Sequence, residues 1–148
     1  MSAPLETVHP EAWPPPRGYS NGVITRGPLL HVAGQVGWNA EGRFVARDFV
    51  GQFAQCIDNV LAVARAAGCG PERVVRMTIF VTDLAGYRAS LGALGSAWRE
   101  RMGRSFPAMA LVGVAGLVEP EALVEIEAVV ALDEASNAQP DATEIGPA

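Results

Sequence analysis

The sequence contains no lysine, so all eleven of its basic residues are arginines. Without a lysine ε-amino group, the chain can form neither a Schiff base with a carbonyl compound nor the lysine–phosphate contact of a Walker A loop. Class I aldolases, pyridoxal-phosphate enzymes and P-loop NTPases are therefore excluded.

Cysteines, histidines and long apolar runs are also scarce. Cys56 and Cys69 provide no disulfide framework and are expected to be inert, and with only two histidines the chain lacks the ligand spacing of a zinc site. No apolar run approaches the ~20 residues that a membrane-spanning helix needs. Residues 1–16 contain no basic residue and no apolar stretch typical of a secretion signal. These absences predict a cytoplasmic protein with no metal, no cofactor and no membrane segment.

Acidic residues outnumber the arginines, and the formal net charge at pH 7 is −5. Four carboxylates and no arginine lie in residues 133–148, which leaves twelve carboxylates against eleven arginines in the rest of the chain. A nearly neutral body lacks the basic excess of a nucleic-acid binder, so no nucleic-acid partner is expected. Residues 133–148 are short of apolar side chains and are predicted to form a disordered acidic tail.

The remaining patterns divide the chain into an extended, proline-rich segment at residues 1–16 and one folded domain at residues 17–132. Alternating or β-branched runs predict strands, and apolar side chains at helical spacing predict helices. The predicted strands are 23–25, 29–36, 74–82, 108–115 and 123–132, with 43–46 as a short candidate, and the predicted helices are 48–67 and 86–102. Because each helix has one apolar face, the pattern predicts an α+β fold with a single sheet and both helices packed on one of its faces. Strands that are apolar on both sides, such as Leu123–Leu132, predict that an oligomer buries the other face.

Five segments of the chain, taken in order, resemble the YjgF/Rid (reactive intermediate deaminase) family. They cover residues 17–131, which is most of the chain. The segments are RGYSN at 17–21 for the family's G-P-Y-S-Q, LHVAGQ at 30–35 for a strand ending in S-G-Q, QFAQCIDNVLAVARAAG at 52–68 for Q…N…L…AG, VVRMTIFVTDL at 74–84, and FPAM at 106–109 with VEIEA at 124–128 for F-P-A-R and E-I-E-A.

The resemblance implies a chorismate-mutase-like fold that assembles as a homotrimer, with three sheets closing a central barrel and the helices outside. It also implies three small-molecule clefts between subunits. In the deaminating members, each cleft hydrolyses the enamine or imine that amino-acid dehydratases release. An arginine binds the substrate carboxylate in a bidentate manner, and a glutamate and backbone groups position the attacking water.

Four polar positions of that implied site are apolar in this chain. Met109 stands at the arginine of F-P-A-R, and a thioether cannot act as the charge partner of a carboxylate. Ala33 stands at the serine of S-G-Q, and Leu111 stands where many members carry a cysteine. The asparagine of the second helix falls at Leu91 or Gly92. The resemblance thus places Met109, Ala33 and Leu111 among the ligand contacts.

Three polar side chains remain at or near the implied site. Tyr19 offers an aromatic wall and a hydroxyl, or it is a packed lid residue. Glu125 shares one strand face with Glu127, and this face is either solvated and salt-bridged or carries a carboxylate that orients water. His31 faces the same way as Ala33 if the strand is regular, and is either a cleft residue or structural. We take Glu125 and Tyr19 as candidate catalytic residues and His31 as a candidate ligand contact.

Two other groups of residues have simple interpretations. Arg99, Arg101 and Arg104 cluster at the end of the second predicted helix, where they complement the helix dipole and favour solubility, and we prefer this to RNA binding. Trp13 and Trp38 either border the cleft or cover the edge of the core.

Three functions stay open at this point. The first is a diverged Rid-type hydrolase or deaminase that acts, in clefts between subunits, on a small enamine, imine or related metabolite other than an ordinary 2-imino acid. The second is a non-catalytic trimeric protein that binds an apolar or aromatic metabolite. The third is the endoribonuclease activity ascribed to some relatives, which the near-neutral body and the missing lysine disfavour. The loss of polar site residues favours binding, whereas Glu125 favours chemistry.

Overall fold

Two β-sheets and three α-helices are present in residues 3–133, the part of the chain that the computed structural model describes. Apart from Asp133, the predicted acidic tail lies outside the described residues. Within them, no helix has both the length and the apolar character that crossing a membrane requires. The elements are β1 (Glu6–Val8), β2 (Gly22–Ile24), β3 (Leu29–Val36), α1 (Phe49–Ala66), β4 (Val74–Val81), α2 (Leu84–Ala89), α3 (Leu91–Met102), β5 (Ala108–Gly113) and β6 (Val124–Ala131).

The main sheet has four strands in the order β3-β6-β4-β5, with β6 antiparallel to both of its neighbours and β4 parallel to β5. α1 packs on β3 and β6, α3 packs beside α1, and side chains of both helices enter one core with the sheet. This architecture confirms the predicted α+β fold with helices on one face of the sheet. Alternate residues of β4 and β6 supply the buried face, namely Met77, Ile79, Val81, Val124, Ile126, Ala128 and Val130.

The first helix is capped at both ends. The Asp48 carboxylate accepts a hydrogen bond from the Gly51 N–H at 2.9 Å, as an N-cap does. At the other end, Gly68 has φ +78° and the Cys69 N–H returns to the Ala64 carbonyl at 2.9 Å, the Schellman ending. The helix buries the side chains of Gln52, Phe53, Cys56, Ile57, Val60, Leu61 and Ala64.

The second predicted helix is two helices. It begins at Leu84 rather than Gly86, because the Asp83 carboxylate accepts from the Gly86 N–H at 3.0 Å and caps α2. It is interrupted at Ser90, whose hydroxyl donates to the Gly86 carbonyl at 2.8 Å. A serine hydroxyl that bonds the preceding turn competes with the backbone pattern of a helix. α3 therefore starts afresh at Leu91.

Two strand predictions also differ from the structure. Residues 43–46 form no strand, and only an isolated bridge joins Trp38 to Phe44. β2 exists, but it pairs with β1 in a separate two-stranded ribbon and not with the main sheet. Part of the expected N-terminal segment at residues 1–16 is thus paired with the domain.

Candidate functional site

A cleft of about 520 Å³ lies beside the edge strand β5 and is bounded by α2, α3 and the loop that precedes β2. Its volume is in the range of small-molecule sites. Met109 and Leu111 lie on its floor, because they align with Met77 and Ile79 of β4 and therefore point to the helix side of the sheet. Apolar and aromatic side chains form much of the wall, including Phe53, Tyr87, Leu91, Leu94, Trp98 and Phe106.

Tyr19 reaches this cleft from a loop that is fastened to the start of β5. The Ser20 backbone N–H donates to the Pro107 carbonyl at 3.0 Å, and the Ser20 hydroxyl donates to the Phe106 carbonyl at 2.5 Å. Gly18 has φ +77°, a conformation that glycine adopts at little cost. Tyr19 is 43% exposed, so its side chain remains accessible to a ligand. Hydrogen bonds of Ser20 thus hold the RGYSN and FPAM segments next to each other.

Trp98 and Phe106 form a rigid part of the wall. The Trp98 indole N–H donates to the Ser105 carbonyl at 3.2 Å. Its ring lies nearly parallel to that of Phe106, with an interplanar angle of 6° and centroids 6.3 Å apart. Two fixed aromatic surfaces above an aliphatic floor are suited to an aromatic or branched apolar group.

Four positions that the family resemblance pointed to meet in this one cleft. Tyr19, Met109 and Leu111 line it, and so does Leu91, one of the two positions assigned to the family's asparagine. The sequence placed them on a loop, two strand positions and a helix that are far apart along the chain. Their convergence makes the cleft the best candidate for a ligand site.

Ala33, His31 and Glu125 lie elsewhere. Ala33 and His31 belong to β3, which is the opposite edge of the sheet from β5. Because β6 and β4 intervene and neighbouring strands are ~4.8 Å apart, the two edges are separated by about 14 Å. One chain by itself therefore does not bring all six candidate residues into a single site.

The Glu125 carboxylate packs against the backbone of Gly34. A Cβ added to Gly34 would overlap the Glu125 Oε1 atom and would lie 3.2 Å from its Cγ. The register of β3 shifts between Val32 and Gln35, which indicates a β-bulge at this point. The glycine of the AGQ segment is therefore the residue that leaves room for the Glu125 carboxylate.

His31 lines a separate, smaller pocket of about 150 Å³ on the open face of the sheet. Arg76, Thr78 and Glu127 share this pocket, and Ala33 is not among its lining residues. The expectation that His31 and Ala33 face the same way assumed a regular strand, and the register of β3 shifts between Val32 and Gln35. Glu127 thus lines the same small pocket as His31, whereas Glu125 lies beside Gly34.

Both thiols are protonated at neutral pH. Burial, with the Glu125 carboxylate acting in the same direction, raises the pKa of Cys56 to about 12. Burial likewise raises the pKa of Cys69. Since the thiolate is the reactive form of cysteine, these shifts support the expectation that both residues are inert. Within residues 3–133, no three His, Cys, Asp or Glu side chains are grouped so as to hold a metal ion.

The three arginines at the end of α3 separate in space. Arg101 pairs with Asp58 at 2.9 Å, Arg104 lines a third pocket near the N-terminal ribbon, and Arg99 lines the cleft. Helical spacing already indicated that Arg99 lies in the cleft. It follows the cleft residue Leu91 by eight residues and so lies on the same helix face.

Arg17, the first residue of the RGYSN segment, also lines the cleft, although it was assigned no role from the sequence. The tryptophans that were considered as cleft residues are not in its lining. Trp13 is 59% exposed, and Trp38 packs against Phe44 with ring centroids 6.3 Å apart. The tryptophan of the cleft is Trp98.

Comparison with known proteins agrees with the motifs. A family profile described as Endoribonuclease L-PSP matches residues 10–132. The 2-iminobutanoate/2-iminopropanoate deaminase of Escherichia coli K12 is 34% identical over 106 residues, which are 72% of this chain and 81% of that protein. The chain belongs to the YjgF/Rid family. RutC family protein y4sK of Sinorhizobium fredii is 36% identical over 110 residues, or 74% of this chain and 83% of that protein.

Solved structures of the family share the fold. A protein of the conserved Rid family from Yersinia pestis, YyfB, described as of unknown function, matches with a TM-score of 0.79 at 36% identity, covering 88% of this chain and 100% of that one. The YjgF gene product of E. coli matches with a TM-score of 0.63 at 31% identity, covering 85% of this chain and 98% of that one.

Proposed function

We propose that this chain is a diverged Rid-family hydrolase of the deaminase type, acting on a small enamine, imine or related metabolite that is not an ordinary 2-imino acid. The observation that carries the proposal is Met109 at the arginine position of F-P-A-R, on the floor of a cleft with aliphatic and aromatic walls. The relative named as a 2-iminobutanoate/2-iminopropanoate deaminase supports the reaction class. The methionine changes what the cleft can hold, because it replaces a charge partner by a flexible apolar group.

The complete site in this proposal is assembled between copies of the chain. Met109 and Leu111 lie at the β5 edge of the sheet, whereas Gly34 and the neighbouring Glu125 carboxylate lie towards the β3 edge. In a ring of subunits, the β5 edge of one copy meets the β3 edge of the next. Such an arrangement places Glu125 over the cleft of its neighbour.

The proposed chemistry is a hydrolysis in which Glu125 orients a water molecule and accepts its proton. The water oxygen forms a bond to the imine carbon, and Glu125 passes the proton that it accepted to the nitrogen. The carbon–nitrogen bond then breaks as the new hydroxyl gives up its remaining proton to the nitrogen, which leaves a carbonyl compound and ammonia. An enamine enters the same sequence after its carbon is protonated to give the imine. Tyr19 contributes a wall and a hydroxyl that is accessible to the substrate.

We expect a homotrimer in solution. The open face of the sheet carries apolar side chains that a closed barrel would bury, including Leu29 at 39% and Val112 at 42% exposure. Light scattering should therefore give the mass of three 15.5 kDa chains, about 46 kDa. Val112→Arg should lower that mass, since a cation in a buried interface is costly. Val45→Arg, at a position 73% exposed and outside the main sheet, is the control. A parent protein that is monomeric at micromolar concentration contradicts the composite site.

Met109→Arg tests whether the cleft has been changed from carboxylate binding to apolar contact. The parent should not accelerate hydrolysis of the imines of alanine, serine or leucine in an amino-acid oxidase assay that follows semicarbazone formation. The variant puts a third cation beside Arg17 and Arg99, and should lose roughly 1–3 kcal/mol of stability. A small carboxylate such as 2-oxobutyrate should restore part of that loss. With Glu125 in place, weak 2-imino acid hydrolysis should also appear.

The control for this experiment is Met109→Leu, a volume-conserving change that should cost less than about 1.5 kcal/mol and create no response to 2-oxobutyrate that the parent lacks. If Met109→Arg behaves like the leucine variant in both respects, Met109 does not line the ligand site. Parent activity on simple imines equal to that of an arginine-bearing relative would show that the methionine has not changed specificity.

The second candidate function is non-catalytic binding of an apolar or aromatic metabolite. It is favoured by one observation: among the described residues, 3–133, those that line the cleft include no carboxylate. Saturable ligand binding without turnover of any imine or enamine would identify this function. Endoribonuclease activity is not proposed, because residues 1–132 carry twelve carboxylates against eleven arginines and so have no basic excess to hold a phosphate backbone.

A further inference from the structure

The cleft has a cationic group that its sequence motifs do not account for. We propose that Arg99 is its specificity-determining residue, and that its guanidinium binds the carboxylate of an aromatic acid whose ring lies on Met109 and Leu111. This inference rests on the proposed function, because it assigns a substrate class to the same cleft. It moves the carboxylate contact from the sheet edge to α3.

The first argument is the charge of the cleft. Among residues 3–133, its lining contains two arginines, Arg17 and Arg99, and no aspartate or glutamate. Neither arginine forms an ion pair with a carboxylate of residues 3–133. An apolar cleft with unpaired guanidinium groups and no carboxylate favours a ligand that carries negative charge.

The second argument is the contrast with Arg101, two residues further along α3. Arg101 pairs with Asp58 at 2.9 Å and with Glu100 at 3.4 Å. Glu100 is the only acidic residue of α3, so the helix directs its one carboxylate to Arg101. Arg99 is left to interact with a ligand.

The third argument is how the guanidinium is held. Arg99 Nη2 donates to the Ser96 hydroxyl at 3.2 Å. Its Nη1 atom lies beside Gly95, where an added Cβ would be 3.3 Å away, and Gly95 is itself a cleft residue. The side chain therefore lies along the cleft side of the helix. A guanidinium has five N–H donors, so donors remain for a carboxylate in bidentate geometry.

The fourth argument is the shape that a ligand needs in order to contact both the guanidinium on α3 and the apolar floor on β5. The carboxylate lies at α3, and the apolar body extends along the wall of Trp98 and Phe106 to the β5 floor. A short aliphatic 2-imino acid has no group that fills the aromatic part. An acid with an aromatic ring contacts both parts, and a volume of about 520 Å³ accommodates it.

The test uses 3-phenylpropanoate and its neutral analogue 3-phenylpropanamide, which differ in charge but hardly in shape, titrated calorimetrically into the full chain. The parent should bind the acid at least about tenfold more tightly than the amide, as a charge-assisted hydrogen bond predicts. In Arg99→Gln this ratio should fall severalfold, to what Arg17 alone supports, with the affinity for the amide unchanged. Arg99→Lys should retain an intermediate ratio, because it keeps the charge and loses the bidentate geometry.

Arg88→Gln is the matched control, since Arg88 is an exposed α2 arginine that does not line the cleft. It should keep the parent ratio. Equal affinity of the parent for acid and amide, or an unchanged ratio in Arg99→Gln, overturns the assignment of Arg99 and leaves the apolar cleft of the proposed function intact. If the parent binds neither compound at millimolar concentration, both the assignment of Arg99 and the cleft itself are wrong.

Discussion

Replacing Gln52 with alanine should lower the free energy of unfolding by about 3–5 kcal/mol, although the residue is polar and lies outside the cleft. Gln52 is only 1% exposed. Its side-chain amide donates to the Glu121 carbonyl at 2.9 Å and to the Ala46 carbonyl at 3.3 Å, and it accepts from the Leu123 N–H at 2.8 Å. Alanine leaves these backbone groups without their partner and creates a cavity. Urea unfolding of parent and variant measures the loss.

Gln55→Ala is the control, because Gln55 lies on the same helix and is only half-buried. Its amide makes one bond, to Asn59 Oδ1 at 2.9 Å. Its loss should cost no more than about 1 kcal/mol. Equal losses in the two variants would show that the bonds of Gln52 to the segment before β6 are not what stabilises the fold. That segment leads directly to Glu125, so Gln52 also helps to position the candidate catalytic carboxylate.

The elements that sequence patterns predicted correctly are those whose determinants are local. The cap at Asp48, the apolar spacing and the glycine at position 68 define α1 within its own twenty residues. Alternation in β4 likewise identified the face that packs on the helices. The break at Ser90 was missed because helical periodicity continues across it, and only the hydroxyl bond to Gly86 reveals the interruption.

The features that the sequence did not reveal depend on contacts between distant segments. β1 pairs with β2 across a proline-rich loop, and a three-residue strand has too little pattern to indicate a partner. The register shift between Val32 and Gln35 adds one residue to β3 beside Gly34, and no local sequence pattern marks such an insertion. Family motifs identified Met109 and Leu111, whereas the position of Arg99 in the same cleft depends on where α3 lies in the fold.

Replacing Glu125 with glutamine should reduce the turnover of an imine substrate by roughly 100-fold or more, because glutamine keeps the shape of the side chain but cannot accept a proton from water. The melting temperature should stay close to that of the parent, since Glu125 is half-buried and makes no ion pair with another residue of the described range 3–133. Ligand affinity should change little. Steady-state rates and calorimetric titration of the same preparations separate these effects.

Gly34→Ala tests the position of that carboxylate without removing its charge. The added Cβ overlaps the Glu125 Oε1 atom, and the half-buried end of the glutamate can rotate away at small cost in stability. Because catalysis depends on placement to within about 1 Å, turnover should fall roughly 10- to 100-fold while the protein stays folded. Gly116→Ala makes the same chemical change where a Cβ meets no atom within 4 Å, and should leave the rate unchanged. Full activity in Gly34→Ala would remove Glu125 from the mechanism, and full activity in Glu125→Gln would do the same by an independent route.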